Sequence, residues 1–166
     1  MSKLAAQYID LPNEAEHPHG TYAEVLPSSK SLRIIEKIIQ KLGIENPTPS
    51  SEIHCTVTYS RKPCPGLIDY NPDLPVSAKI RGFRIFPLQA GGFCLVLDLD
   101  SDDIHELHNY AIDMGCTYDY DEYYPHVTLT YNWSNNQIPK LDLDNQSLTF
   151  DRWNVKGLDP NYIPGK

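Results

Sequence analysis

The chain has 166 residues and a formal net charge of −8, so it is long enough to bury a core and is acidic overall. Because binding to long nucleic acid normally requires a basic face, this charge argues against such a partner. The sequence has no apolar run of about eighteen residues and no apolar signal-peptide core, so we expect a soluble cytoplasmic protein that does not bind membranes.

The first half of the chain predicts a strand, a helix and two further strands. Residues 20–26 are a plausible strand, and residues 28–43 combine serine caps, helical apolar spacing and a terminal glycine, as an amphipathic helix does. Residues 53–60 alternate as a second strand. A proline-containing loop over 62–75 leads to a third strand over 76–86.

The second half repeats this order of elements. Residues 93–99 are a plausible strand, and residues 101–115 have acidic and hydroxyl caps, helical apolar spacing and a closing glycine. Residues 125–132 alternate as a strand, and residues 146–155 form the last predicted strand. The sequence therefore predicts a duplicated β-α-β-β unit.

The duplication also predicts how the chain is divided. Gly43 and Gly115, which close the two helices, precede His54 and His126 by the same number of residues. We expect one α+β domain made of two lobes and a C-terminal flap, with approximate boundaries at 19–88, 89–156 and 157–166.

The alternating segments of the two halves nearly repeat each other, as IHCTVTYS at 53–60 and PHVTLTYN at 125–132. Successive strand residues point to opposite faces, so alternation puts three side chains of each segment on one face. These are His54, Thr56 and Thr58 in the first segment, and His126, Thr128 and Thr130 in the second. One His-x-Thr sequence often occurs by chance, but matched copies in a duplicated unit indicate a shared site.

Two histidines and two threonines around one phosphodiester can perform acid–base chemistry. The imidazole pKa lies near neutrality, so one ring accepts a proton while the other donates one. The hydroxyl two residues further along each strand can donate to a non-bridging phosphate oxygen. Protonated histidine and fixed hydroxyls then stabilise the charge, so we expect no metal ion and no other cofactor.

The paired segments HCTVTY and HVTLTY resemble the two H-x-T motifs of the 2H phosphoesterase superfamily, which includes RNA cyclic phosphodiesterases and viral enzymes that degrade oligoadenylate messengers. The resemblance implies a bilobal α+β fold with antiparallel sheets around a central cleft and helices outside. Gly20-Thr21-Tyr22 at the first strand and the Thr-Tyr extension of both motifs are similar, more narrowly, to phage anti-CBASS enzymes. Those enzymes hydrolyse cyclic di- and trinucleotides.

The resemblance also implies roles for particular residues. His54, Thr56, His126 and Thr128 match the catalytic motif positions, and Tyr22 becomes a candidate ligand contact. We therefore expect a metal-independent phosphodiesterase that hydrolyses 3′-5′ bonds of cyclic di- and trinucleotides, through which a phage evades host CBASS immunity. Base preference, ring size, oligomeric state and the choice of acid and base histidine are left open.

Three aromatic residues outside the motifs are further candidates for substrate binding, because aromatic faces near a phosphate site stack nucleobases. Tyr124 belongs to a tyrosine-rich stretch before the second motif, Trp153 lies in the last predicted strand, and Tyr162 lies in the flap. The alternative for the tyrosine-rich stretch is that its side chains cover the edge of the sheet. The alternative for Trp153 is a position in the core, and for this residue the core position is favoured. Three basic residues are candidates for local positive charge: Arg61, Lys62 and Lys156.

The four cysteines show no Cys-x-x-Cys spacing, and two of them lie in predicted strands. We expect reduced, structural cysteines, which behave as small apolar residues. Cys55 is a poor candidate for a nucleophile, because alternation points it away from the face of His54 and Thr56.

Two other functions compete with the expected one. The first is an RNA phosphodiesterase of the same superfamily that acts on 2′,3′-cyclic ends or 2′-5′ linkages; the acidic surface argues against long RNA but not against short oligonucleotides. The second is a module that sequesters nucleotides without cleaving them. Intact histidines in both motifs argue against sequestration alone.

Overall fold

Within residues 17–134, 136–159 and 161, which the computed structural model describes, six strands form one antiparallel sheet. In chain order the strands are β1 (Thr21–Pro27), β2 (Cys55–Ser60), β3 (Val76–Pro87), β4 (Phe93–Asp100), β5 (His126–Trp133) and β6 (Ser147–Gly157). The α-helices are α1 (Ser29–Leu42), the single turn α2 (Pro65–Ile68) and α3 (Asp102–Asp113), and a 3-10 turn spans Ser50–Glu52. The α+β class and the predicted order of strands and long helices are confirmed.

The strand order β2-β1-β6-β3-β4-β5 shows how the repeated units combine. Each strand has a counterpart in the other unit: β1 corresponds to β4, β2 to β5 and β3 to β6. Exchanging every strand for its counterpart gives the same order read from the opposite edge of the sheet. The third strand of each unit pairs outside its own unit, because β3 pairs with β4 and β6 pairs with β1. The two units therefore share one continuous sheet.

Both long helices begin at the serine that the sequence indicates. The Ser28 hydroxyl accepts a hydrogen bond from the Ser31 amide, and the Ser101 hydroxyl accepts one from the Ile104 amide. Gly43 closes α1 with a left-handed φ of 64°, which glycine adopts without steric cost. The two serine caps thus set the residue at which each helix begins.

One face of the sheet packs against α1 and α3 and forms the core. Val25, Leu97 and Val127 are fully buried on this face, as are Ile35 of α1 and Ile104 of α3. Burying each such side chain contributes about 1.5–3 kcal/mol. No helix in the described ranges is long and apolar enough to cross a membrane.

The opposite face carries both His-x-Thr motifs, and we call it the motif face. The register identifies its members, because side chains directly opposite each other on paired strands share a face. Thr56 lies opposite Glu24, His126 lies opposite Asp98, and Thr128 lies opposite Val96.

A bulge interrupts the alternation of β2 directly after Thr56. Thr56 lies opposite Glu24, and Thr58 lies opposite Ala23, the adjacent residue of β1. Val57 is therefore the extra residue of a β-bulge. Because adjacent residues of β1 point to opposite faces, Thr56 and Thr58 do so as well.

A second bulge interrupts β5 at the equivalent position. Thr128 lies opposite Val96, and Thr130 lies opposite the adjacent Leu95, so Leu129 is the extra residue. The expectation that Thr58 and Thr130 share a face with the histidines is therefore wrong. Both threonines point away from the motif face and are fully buried.

The cysteines are partly as expected. Cys55 and Cys94 are free and buried, as structural thiols are. Cys64 and Cys116, however, form a disulfide, so the expectation of four reduced cysteines is wrong for this pair. The two residues are separated by 52 positions, and their proximity results from the tertiary fold, which local Cys spacing does not report.

Candidate active site

The two motif histidines have the same backbone-directed hydrogen bond. His54 Nδ1 lies 2.6 Å from the Glu52 carbonyl oxygen, and His126 Nδ1 lies 2.7 Å from the Tyr124 carbonyl oxygen. A carbonyl only accepts hydrogen bonds, so Nδ1 carries the proton in both rings. In a neutral ring Nε2 then has a free lone pair, and each histidine can exchange a proton with a substrate through Nε2.

The fold brings the two motifs together. β2 and β5 are the two edge strands of the sheet, yet they contact each other. The hydroxyl of Tyr123, three residues before His126, donates to the Thr56 carbonyl oxygen at 2.6 Å, and the charge of His54 lowers the pKa of His126. Both interactions require proximity, so the predicted pair of His-x-Thr motifs lies at one site.

Tyr22 extends the first motif. Its hydroxyl lies 2.7 Å from Thr56 Oγ1, and its ring meets the His54 ring edge-on at 6.1 Å. Burial raises the pKa of Tyr22 above its ordinary value, so the hydroxyl keeps its proton at neutral pH. The structure therefore places Tyr22 beside the two motif residues, where the resemblance expected a ligand contact.

The Thr128 hydroxyl makes a weaker hydrogen bond than the Thr56 hydroxyl. The Cys94 thiol donates to Thr128 Oγ1 at 3.9 Å, and thiols are weak donors. The Thr128 hydroxyl proton is free to point elsewhere, because Thr128 Oγ1 is the acceptor in this contact. This leaves Thr128 able to donate to a bound phosphate.

The surroundings of the second motif contain a charged and aromatic cluster that the sequence did not reveal. Arg84 donates to Asp98 at 2.9 Å, and its guanidinium lies 4.7 Å from the centroid of the Tyr124 ring. The Phe86 ring lies 5.4 Å from that of His126. Tyr124 thus lies near the second motif, where Arg84 adds a cation, and its contact with a substrate stays a prediction.

Burial lowers the pKa of His126 below its ordinary value, and the positive charges of His54 and Arg84 lower it further. The hydrogen bond to Tyr124 and the charge of Asp98 act in the opposite direction, but the net shift is downward. His126 is therefore neutral at pH 7, which is the form that accepts a proton.

Glu24 is a second residue of the site that the sequence did not reveal. Its Oε1 lies 4.0 Å from His54 Nε2, and its Oε2 accepts a hydrogen bond from Asn154 Nδ2 at 2.8 Å. The residue is buried on the motif face. The sequence signal for Glu24 was its spacing from Tyr22, since residues two apart in a strand point to the same face.

The structure does not bring Trp153 to the motif face. Trp153 lies opposite Val25 of the core face, and its ring meets that of Tyr70 edge-on at 6.0 Å. Trp153 is half-buried against the core, the position favoured from the sequence, so we do not retain it as a substrate contact. Tyr162 lies outside the described residues.

The basic residues named from the sequence have different surroundings. Lys156 Nζ lies 5.3 Å from the centroid of the Tyr22 ring, so it is close to the first motif. Arg61 instead pairs with Asp119 at 2.8 Å on an exposed loop. No group of three or more His, Cys, Asp or Glu side chains suited to a metal ion occurs among the residues with described positions.

The fold is that of the 2H phosphoesterases. The structure of E. coli LigT complexed with 3'-AMP superposes with a TM-score of 0.54 at 12% identity, covering 82% of this chain and 86% of that chain. The structure of TT0787 of Thermus thermophilus superposes with a TM-score of 0.52 at 16% identity, over 82% of this chain and 83% of that chain.

The chain belongs to the anti-CBASS Acb1 family. The family model described as Anti-CBASS protein Acb1 matches residues 19–163. The Anti-CBASS protein Acb1 of Salmonella phage S16 is 37% identical over 68% of this chain and 72% of the relative. That of Acinetobacter phage Ac42 is 30% identical over 87% of this chain and 95% of the relative. The resemblance read from the motifs is therefore confirmed.

Proposed function

We propose that this protein is a phosphodiesterase that hydrolyses 3′-5′ bonds of cyclic di- and trinucleotides. The observation that carries the proposal is the pair of adjacent motif histidines, each with Nδ1 held by a carbonyl and Nε2 available to a substrate. Membership of the anti-CBASS Acb1 family and the name of its relatives support a cyclic-nucleotide messenger as the substrate.

The proposed reaction uses the substrate's own 2′-hydroxyl as the nucleophile. In a 3′-5′ ribonucleotide linkage this hydroxyl is held next to the phosphorus at high effective concentration. One histidine removes its proton while the other protonates the departing 5′-oxygen. The product is a 2′,3′-cyclic phosphate, which water opens in a second step to a 3′-phosphate.

The threonines and the neighbouring side chains hold the phosphate and the bases. Thr56 and Thr128 donate hydroxyl hydrogen bonds to the non-bridging oxygens, on which negative charge grows in the transition state. Tyr22 orients the Thr56 hydroxyl through their 2.7 Å contact. Tyr124, close to His126 and partly exposed, offers a ring face to a nucleobase.

The proposed biological role is phage evasion of CBASS immunity in the bacterial cytoplasm, by removal of the cyclic messenger. Relatives from several phages carry the name Anti-CBASS protein Acb1, which supports this role.

The direct test is a panel of cyclic dinucleotides, cyclic trinucleotides, linear 2′-5′ oligonucleotides and RNA 2′,3′-cyclic ends, incubated with the protein and analysed by mass spectrometry. We expect linear products from the cyclic substrates. Cleavage of the RNA ends or 2′-5′ linkages alone supports the RNA phosphodiesterase instead. Ligands that are retained and recovered intact support sequestration.

A further inference from the structure

Glu24 gives His54 an electrostatic environment that His126 lacks. Glu24 is 7% exposed, and the hydrogen bond from Asn154 holds its Oε2. The second carboxylate oxygen, Oε1, lies 4.0 Å from His54 Nε2. A buried carboxylate therefore stands beside the nitrogen that exchanges protons with the substrate.

The second motif is built differently. The position equivalent to Glu24 is Val96, because Glu24 lies opposite Thr56 and Val96 lies opposite Thr128. Asp98 lies opposite His126, but its carboxylate is paired with Arg84 at 2.9 Å. Over residues 17–134, 136–159 and 161, no ion pair joins His126 to a carboxylate.

Because both rings have the same Nδ1 hydrogen bond, the surroundings of Nε2 determine which ring donates a proton and which accepts one. Because Nδ1–H is held by a carbonyl in both rings, a ring that donates a proton from Nε2 must be a doubly protonated cation. A ring that accepts a proton at Nε2 must be neutral. A carboxylate favours the cation, whereas burial and nearby positive charge favour the neutral ring.

The charged groups around the two rings differ. His54, directly before β2, faces Glu24 of β1 and His126 of β5, and Lys156 of β6 lies 5.3 Å from the centroid of the Tyr22 ring that meets the His54 ring. His126 faces Asp98 of β4, Arg84 of β3 and His54. A carboxylate thus lies beside His54 Nε2, whereas burial and the positive charges of His54 and Arg84 lower the pKa of His126.

We infer that Glu24 is a positioning residue that makes His54 the general acid and leaves His126 as the general base. This inference rests on the proposed phosphodiester cleavage. His126 Nε2 takes the 2′-hydroxyl proton as the 2′-oxygen forms its bond to phosphorus. The bond from phosphorus to the 5′-oxygen breaks, and His54 Nε2 gives its proton to that oxygen. The products are a 2′,3′-cyclic phosphate and a 5′-hydroxyl.

A cyclic dinucleotide with sulfur in place of the bridging 5′-oxygen separates the two roles. A thiol has a pKa of about 8.5, so a thiolate leaves without prior protonation and needs no general acid. On the oxygen substrate we expect His54→Ala and His126→Ala to lose at least about a hundredfold in rate, and Glu24→Gln at least about tenfold. On the sulfur substrate His54→Ala and Glu24→Gln should recover to within about threefold of the unmodified protein, while His126→Ala should not.

Glu24→Gln keeps the size of the side chain and an oxygen for Asn154, so it removes the charge with little change in packing. Glu106→Gln removes an exposed carboxylate of α3 and should leave both rates unchanged. A loss in His54→Ala that persists on the sulfur substrate, or recovery of His126→Ala, overturns the assignment. An equal loss of Glu24→Gln on both substrates overturns the role of Glu24. If the unmodified protein cleaves neither substrate, it is the proposed function that fails.

Discussion

Thr58 and Thr130, which follow the two equivalent bulges, each donate a hydrogen bond to the segment that leads into the other motif. Thr58 Oγ1 donates to the Thr117 carbonyl at 3.0 Å, and Thr130 Oγ1 donates to the Asn46 carbonyl at 2.6 Å. Asn46 precedes the first motif, and Thr117 precedes the second. Because of the bulges, the second threonine of each motif points away from the motif face and makes a hydrogen bond between the repeated units.

These contacts predict a stability effect at residues that have no direct role in the reaction. Thr58→Val and Thr130→Val should each lower the free energy of unfolding by about 0.5–1.5 kcal/mol, because each loses a part-buried hydrogen bond between the repeated units. Urea unfolding measures this effect. Thr58→Ser and Thr130→Ser keep the hydroxyl and should lose less than the valine variants. Valine variants as stable as the unmodified protein would show that these two hydrogen bonds do not stabilise the fold.

The threonines of the motif face should behave in the opposite way, with a loss of rate and little loss of stability. Thr56→Val and Thr128→Val remove one donor to the phosphate, and such a loss costs at most about 2.7–4 kcal/mol of transition-state stabilisation. We expect kcat to fall in both variants. Normal kcat in both would mean that the hydroxyls do not contact the reacting phosphate.

Tyr22→Phe tests whether Tyr22 acts through Thr56. The variant removes the hydroxyl that contacts Thr56 Oγ1 at 2.7 Å. We expect a smaller loss of kcat than in Thr56→Val, and a loss in the double variant no larger than that of Thr56→Val alone, because the two hydroxyls form one unit. Fully additive losses would show that Tyr22 acts independently of Thr56.

Buried histidine predicts a loss of stability in mild acid. His108 Nδ1 donates to the Val57 carbonyl at 2.7 Å at the β2 bulge, and burial lowers the pKa of His108 below its ordinary value. The unfolded chain then binds protons more readily than the folded one, so stability is complete above about pH 6.5 and falls as the pH drops below it.

Unfolding measured from about pH 7 to pH 5 tests this sign. In His108→Gln the dependence of stability on pH should be shallower than in the unmodified protein, whatever the absolute stability. It should not vanish, because His126 has a lowered pKa as well. An unchanged slope in His108→Gln would assign the acid sensitivity to other groups.

Acid–base chemistry on the substrate's own hydroxyl predicts that cleavage needs no metal ion. Activity should persist in excess EDTA, because histidine and hydroxyl donors handle the charge. A cyclic dinucleotide with 2′-deoxy at the cleaved linkage should bind but stay intact. Loss of activity in EDTA that added divalent metal restores would reject the metal-free scheme, and efficient cleavage of the deoxy analogue would require direct attack by water.

The helices and strands were predictable because local signals agree with the fold. Ser28 and Gly43 bound α1 as capping rules require, and the order of elements in each unit follows from hydrophobic spacing. The pairing of β3 with β4 and of β6 with β1 was not predictable, because strand pairing depends on contacts distant in sequence.

The site was only partly predictable. The histidine and the first threonine of each motif share a face because they are two positions apart and both precede the bulge. Alternation then fails at Val57 and Leu129, since a bulge has no signature in these apolar positions. Glu24 and Arg84 come from β1 and β3, and their proximity to the histidines results from the register between strands, which one sequence does not encode locally.

The central claim is that both motif histidines act on one phosphodiester, and the rate of cleavage of a cyclic dinucleotide by single histidine variants tests it most directly. The experiment follows product by mass spectrometry for the unmodified protein, His54→Ala and His126→Ala, with His19→Ala as an exposed-histidine control. Circular dichroism checks that each variant is folded. We predict that His54→Ala and His126→Ala each lower turnover at least about a hundredfold while His19→Ala does not. A folded His54→Ala or His126→Ala variant that cleaves near the unmodified rate would contradict the account.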